Sequence, residues 1–365
     1  MSVEDLLIHF IYDDDDEQRH IQQYSPSDEQ RHLHKQYYLP GEEMNGVVSL
    51  HLRTGVRTRG LTIHFLGSAT VSWEATNKKR VYQSSEIYLE SSKPLLDIGL
   101  DRSVELPRGL HQFGFKYQLP TSLPSTFNGV YGQVTYIAKV KFECEDERNT
   151  TITSEPFMVL RRPELPAHVY QEKTLKKSRL FLGLTTGKVK MVATIDKSAA
   201  VPGDNIVVDA EVSNWTGKEI SLIQASVLLE SHYLAEGHEI IFRQYLSKRD
   251  DVYDVNTFRG RRWRHVLLPV PPFLPDSGLE HCQIMNIKYF FQFKVRVEGK
   301  EDIAMETPLY VGTHADLGGV AGKELLLGKM WQGIAELEEE RDLPWYGRRS
   351  IYTESVNGDN FDPGH

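Results

Sequence analysis

The chain is nearly free of cysteine: Cys144 and Cys282 are the only two in 365 residues, and they fall in different halves at positions that do not correspond. That excludes a disulfide framework and any multi-cysteine metal or redox centre, and it points to a reducing compartment. No run of about 18 apolar residues occurs, so no membrane-spanning helix is expected. Positive charge is in deficit, with 42 Lys and Arg against 51 Asp and Glu and a formal net charge of −9. A dedicated nucleic-acid binder needs a concentrated basic face to neutralise phosphates, so that class is excluded, although local basic patches are not. No Gly-x-Ser-x-Gly elbow and no glycine-rich phosphate loop ahead of a helix is present. The chain therefore reads as a non-enzyme, with no catalytic, metal or cofactor residues to nominate. The opening Met1-Ser2-Val3-Glu4-Asp5 is acidic, and the apolar stretch after it breaks at His9 and stops at Asp13. No export signal is expected, and the cytoplasm is the expected compartment. Asn149-Thr150-Thr151 and Asn214-Trp215-Thr216 match the glycosylation pattern but read as polar surface turns.

What the chain does have is a repeat. Pro40-Gly41-Glu42 is echoed by Pro202-Gly203-Asp204, and Gly41 to Gly203 is the same spacing of 162 residues as Gly55 to Gly217. Leu119-Pro120-x-x-Leu123-Pro124 is echoed 151 residues later by Val270-Pro271-x-x-Leu274-Pro275, and a long alternating segment follows each, 134–142 and 287–297. Period-two alternation is widespread. Val48, Leu50 and Leu52 alternate with polar residues, as do Leu61, Ile63 and Phe65, and Phe113, Phe115, Tyr117 and Leu119. In the second half Val189, Met191, Ala193 and Ile195, then Ile206, Val208, Ala210 and Val212, then Tyr289, Phe291, Phe293, Val295 and Val297 behave alike. One apolar face per strand marks antiparallel sheets packed on one side.

The fold class that follows is all-β: two tandem antiparallel β-sandwich domains, immunoglobulin-like in architecture, plus a short C-terminal helix. The expected domains are 1–162 and 171–315, joined by a stiff linker at 163–170 with Pro163 and Pro166, followed by a helix and disordered tail at 316–365. Phe157-Met158-Val159-Leu160 reads as the last strand of the first domain. Three segments stand outside the repeats. The polar stretch 13–34 reads as a solvated loop; its His20, His32 and His34 have no metal-ligand spacing. The stretch between the linker and Val189 carries a basic patch, Lys173, Lys176, Lys177 and Arg179, which is either a solvated face or a contact for acidic lipid or a phosphorylated tail. Arg259, Arg261, Arg262 and Arg264 around Trp263 form a second such group. In the tail, Leu327, Met330, Trp331, Ile334 and Leu337 recur at helical spacing with Glu336, Glu338, Glu339 and Glu340 around them, an amphipathic helix over 323–341.

These residues resemble the arrestin family, and its α-arrestin (arrestin domain-containing) branch in particular. The resemblance is carried by Tyr38-x-Pro40-Gly41-Glu42 with Gly46 and Val47, Gly60-Leu61, Gly67-x-Ala69 with Trp73, Gly109-x-His111-x-Phe113-x-Phe115, the Leu119 to Ser125 motif, Phe127-x-Gly129 and Gly132-x-Val134-x-Tyr136. Val201-Pro202-Gly203-Asp204 and Asn214 carry it in the second half. It implies a cytosolic adaptor that binds cytoplasmic regions of membrane proteins through sheet edges and interdomain loops and directs their sorting or endocytosis, with peripheral membrane association at the plasma membrane or endosomes. α-Arrestins carry Pro-Pro-x-Tyr tail motifs that dock WW domains of HECT-type ubiquitin ligases. The nearest form here is Leu343-Pro344-Trp345-Tyr346, so Leu343, Pro344 and Tyr346 are the WW-ligand candidates. Departures from the family pattern are Gly114, where proline is common, and the long 13–34 stretch. The buried charged cluster by which visual and β-arrestins sense receptor phosphates has no counterpart that can be placed, and a phosphate-triggered switch is not carried over. An extracellular immunoglobulin-like adhesion module and a hydrolase on a β scaffold are the alternatives from other classes.

Overall fold

The computed structural model describes residues 3–11, 37–75, 80–98, 103–146, 150–181, 187–251 and 260–312. The polar stretch 13–34, the 323–341 segment and the rest of the tail lie outside them. The chain divides into two compact units, one of Met1–Arg161 with His281–Ile284, the other of Arg162–Glu280 with the chain from Met285 onward. Both are built of antiparallel sheets, as the period-two pattern requires.

In the first unit, β1 (Val3–Ile11), β2 (Glu43–Leu52) and β6 (Gly109–Gln118) form a three-stranded sheet in the order β1-β2-β6. The second sheet has β4 (Val81–Asp97), β3 (Val56–Glu74), β8 (Gly132–Cys144) and β7 (Phe127–Asn128) in that order, with β5 (Val104–Leu106) on β3 and β9 (Thr151–Phe157) on β8. The alternating apolar residues face inward: Val48, Leu50, Leu52, Leu61, Ile63, Phe65, Val134, Tyr136, Ala138, Val140 and Phe142 are all buried. Aromatic rings join the sheets. Phe65 of β3 stacks on Tyr117 of β6 with centroids 4.2 Å apart, and Phe10 of β1 meets Phe157 of β9 edge-on at 5.8 Å. Such pairs contribute about 0.5–1.5 kcal/mol each beyond their buried area.

In the second unit, β10 (Lys173–Phe181), β11 (Gly187–Ile195), β13 (Asn205–Asn214) and β16 (Arg261–Pro269) make a four-stranded sheet in that order. It packs on β12 (Ala199–Ala200), β18 (Ile303–Val311), β17 (Met285–Val297), β14 (Ile220–Ala235) and β15 (His238–Asp251), again in spatial order. Only the two-residue β12 pairs in parallel among the described strands. Trp263 of β16 meets Phe293 of β17 at 5.6 Å and 88° across the sandwich. A short 3-10 turn, Ala167–Tyr170, precedes β10 and buries Val169 with Leu165 against Ala199.

Two sequence expectations change. The stretch 173–181, placed outside the repeats, is a paired strand; no apolar stripe marks it, because six of its nine residues are exposed and only Phe181 is buried, at the edge of a sheet. The last strand of the first unit ends at Phe157. Beyond it Val159 makes an isolated parallel bridge to Tyr38, with Tyr38 N–H on Met158 O at 2.8 Å and Leu160 N–H on Tyr38 O at 3.0 Å, and is also tied to Thr126.

The repeated motifs meet in space. Gly41 (φ 80°) and Gly203 (φ 83°) take the left-handed backbone that glycine adopts without steric cost. Each turn is tied to the proline segment of its own unit: Gly41 N–H to Pro120 O at 3.0 Å and Leu119 N–H to Glu42 O at 2.9 Å in the first, Gly203 N–H to Val270 O at 3.1 Å and Val270 N–H to Asp204 O at 2.8 Å in the second. The segment then runs to the opposite sheet, where a buried tyrosine secures it. Tyr136 of β8 donates to Pro124 O at 2.7 Å, and Tyr289 of β17 donates to Pro275 O at 2.9 Å. Gly67 makes room for the first ring, since a Cβ there would lie 2.5 Å from Tyr136 Cδ1.

Tyr136→Phe and Tyr289→Phe keep the ring and leave a buried carbonyl without its donor. Each should destabilise the protein by about 1–3 kcal/mol in urea titration, with little change in m-value.

Candidate functional site

Among the described residues no group of three or more His, Cys, Asp or Glu is placed to hold a metal, and no helix is long and apolar enough to cross a membrane. Neither cysteine is in a disulfide; Cys144 is buried, and burial, aided by the Asp146 charge, pushes its thiol up. The features that could engage a partner are sheet edges and sheet faces.

The edges differ in how they are guarded. A free edge presents unpaired N–H and C=O groups to any extended chain, and Lys, Arg or Pro on the strand discourages pairing. β4 carries Lys93 and Pro94, and Lys93 Nζ also donates to Lys116 O at 3.2 Å, occupying an acceptor of β6. β9 carries Pro156, β10 four cations, β15 Lys248 and Arg249, and β16 Arg261, Arg262 and Pro269. β1 is different. Its sequence, VEDLLIHFI, has no Lys, Arg or Pro, and among the described residues it pairs only with β2, in the register Leu6–Leu50, Ile8–Val48 and Phe10–Gly46. Leu6 and Ile8 are buried, while Leu7 and Ile11 stand 49% and 45% exposed on the other face. The charges Glu4 and Asp5 and the irregular pairing between Val3 and Asp5 are confined to its start, so among the described residues β1 from Leu6 to Ile11 is an unguarded edge with apolar side chains beside it. The strand is not announced by alternation, because apart from His9 the residues Leu6 to Ile11 are apolar on both faces.

In the second unit the outer face of the five-stranded sheet carries a charged network that no motif announced. Arg243 of β15 donates through Nε to Glu230 of β14 at 2.6 Å and through Nη1 to both Glu306 oxygens of β18 at 3.2 Å. Gln292 donates to Glu306 at 2.7 Å, and the His232 ring lies 2.7 Å from both Glu230 and Glu239. Lys294 donates to the Tyr245 hydroxyl at 3.0 Å, and Arg296 grips Asp302 with two bonds of 2.9 and 3.0 Å. Burial would raise the Glu230 carboxyl, but the hydrogen bonds from His232 and Arg243 outweigh it and hold it below the usual range. The Arg296 hydrogen bond, against burial, holds Asp302 down as well. The network spans four strands and largely satisfies its own charges, so it fastens the sheet more than it offers charge to a ligand.

The basic patch does not stay together. Alternation puts Lys173, Lys177 and Arg179 on the side of β10 that faces the core residues of β11, and Lys176 on the other. Lys177 Nζ donates to Ala304 O at 2.6 Å, and Arg179 pairs with Glu301 at 2.8 Å. Of the second basic group, Arg261 pairs with Asp251 at 2.7 Å and Arg262 with Glu211 at 3.1 Å, while buried Trp263 donates to Asp251 at 2.8 Å; Arg259 lies outside the described residues. Leu343, Pro344 and Tyr346, and His20, His32 and His34, also lie outside them. Asn214 is buried in its turn, accepting from Thr216 N–H at 3.1 Å and donating to Lys218 O at 2.7 Å.

Comparison with known proteins places this architecture. The description "Arrestin (or S-antigen), N-terminal domain" matches residues 31–165, and "Arrestin (or S-antigen), C-terminal domain" matches residues 185–315. The chain belongs to the arrestin family. Its relatives place this arrestin in the arrestin domain-containing, or α-arrestin, branch, an adaptor family. Mouse Arrestin domain-containing protein 1 is 28% identical over 283 residues, covering 76% of this chain and 62% of that protein. The human protein of that name is 26% identical over 284 residues, with the same coverage. Mouse Arrestin domain-containing protein 4 is 25% identical over 289 residues, covering 76% of this chain and 68% of its own length. The match thus spans less than two thirds of the first of these relatives.

The depressed carboxylates give the second unit an acid-labile term. A carboxylate whose folded pKa lies below its unfolded value contributes stability above the ordinary carboxylate range, and that stability is lost as pH falls through the folded value. Urea midpoints should therefore hold from neutrality down to about pH 5 and fall below about pH 4, near the ordinary carboxylate pKa. Glu230→Gln should lower the midpoint at neutral pH and flatten the acid slope.

Proposed function

We propose that this arrestin is a cytosolic adaptor that captures cytoplasmic segments of membrane proteins by strand addition to β1 and directs their sorting or endocytosis. The observation that carries the reading is the unguarded β1 edge. Backbone groups supply affinity without regard to sequence, and alternate side chains of the added strand can rest on Leu7 and Ile11, which sets a preference for β-branched or aromatic residues at every second position. An adaptor with varied cargo needs this division between general backbone pairing and modest side-chain selection. Association with the plasma membrane or endosomes would follow from the cargo.

Leu7→Lys with Ile11→Lys places cations beside the edge and leaves the buried Leu6 and Ile8 alone. Peptides from cytoplasmic tails of membrane proteins, titrated by fluorescence anisotropy, should bind the double variant about tenfold or more weakly, equivalent to about 1.4 kcal/mol. The melting temperature should hold, because both side chains are exposed. Undiminished binding by the variant contradicts the reading.

A further inference from the structure

A second surface lies on the outer face of the four-stranded sheet, away from the charged network. Leu180 of β10 pairs with Lys188 of β11, whose carbonyl accepts the Trp215 N–H at 2.9 Å just beyond the end of β13. The next row is Ser178, Lys190 and Ser213, and the one after it Lys176, Val192, Glu211 and Arg262. Their neighbours along β11, Val189 and Met191, fill the core, so these rows face solvent. Leu180 is 58% exposed and Trp215 51%. Lys176, Lys188 and Lys190 are exposed and have no carboxylate partner among the described residues; the nearby Glu211 is taken by Arg262. Leu180 and Trp215 flank Lys188, and Lys190 and Lys176 follow on the next two rows, so two exposed apolar side chains and three unneutralised lysines share one face of a chain of net charge −9.

We propose that the chain's own C-terminal segment, 323–341, covers this face. The segment has the complementary make-up: Leu327, Met330, Trp331, Ile334 and Leu337 at helical spacing, with Glu336, Glu338, Glu339 and Glu340 gathered toward one end. β18 ends at Val311. The 11 residues between Val311 and Lys323 can reach roughly 40 Å when extended, which matches the full diameter of roughly 40 Å for a domain of about 150 residues. The tether therefore reaches the face. Gly328 and Gly333 weaken the helix in isolation, so its order depends on docking. The apolar stripe covers Leu180 and Trp215, and the four glutamates meet Lys176, Lys188 and Lys190. This contact uses no residue of β1.

Hydrogen exchange read by mass spectrometry on the full chain tests it. Amides 327–337 should exchange about tenfold or more slowly in the wild type than in the variant Lys176→Glu/Lys188→Glu/Lys190→Glu. The Lys→Arg triple should keep the protection, and raised salt should reduce it, because the Debye length shrinks from about 10 Å to about 3 Å between 0.1 and 1 M. Protection of the β17 core amides reports that each variant is folded. Should the Glu triple fail that control, Leu327→Asp with Ile334→Asp in the native body should return 327–337 to the free exchange rate. Free exchange of 327–337 in the wild type overturns the proposal, as does protection indifferent to the Glu triple. Protection that rises with protein concentration assigns the face to a second copy and also overturns it. So does a β10–β11 surface that only phosphatidylserine vesicles protect.

Discussion

Both units depend on a buried phenol that donates to a proline carbonyl. The segment carrying each proline pair leaves one sheet and must reach the other, from β6 toward β8 in the first unit and from β16 toward β17 in the second. Proline has no N–H to give a ladder, and its carbonyl still needs a donor when taken out of water. Tyr136 and Tyr289, each on the long strand its segment leads into, meet that need at 2.7 and 2.9 Å. An unpaired carbonyl in that setting costs more than the bond contributes. Strand alternation, the Pro-Gly turn and the glycine opposite the first ring act together to place one hydroxyl.

Much of this was legible in the sequence. β2, β3, β8, β11, β13 and β17 announce themselves because each sets one apolar face against one polar face. The two proline motifs were visible as repeats, although not the tyrosines that explain them, since a hydrogen bond across 12 or 14 residues leaves no periodic trace. β14 and β15 were not legible. Gln224 and Ser226 are buried on the outer face of β14, so burial and polarity no longer track each other there. β4 has only Leu89 buried among its described side chains and shows hardly any core stripe. The charged network was invisible for a related reason: Glu230, Arg243 and Glu306 lie on three different strands and meet only through register.

The same register decides which charges are available. Clusters that look basic in sequence are divided or neutralised: Arg179, Arg261 and Arg262 each meet a carboxylate, whereas Lys176, Lys188 and Lys190 are brought together from two strands. Surface function in a sandwich is therefore poorly read from consecutive residues and better read across strands. The edges follow another rule. Most carry residues that discourage pairing; β1 confines its charges, Glu4 and Asp5, to its start, and the strand addition proposed above rests on the rest of it.

Residue-resolved amide exchange by NMR, with and without a bound cytoplasmic-tail peptide, tests that role of β1 most directly. In an antiparallel pair alternate N–H groups of an edge strand point away from its partner. Strand addition predicts that peptide slows exchange at every second amide of Val3–Ile11, those turned away from β2, and leaves the intervening ones unchanged. Saturating peptide that leaves the whole of β1 at its free rate, with protection appearing elsewhere, would contradict the account.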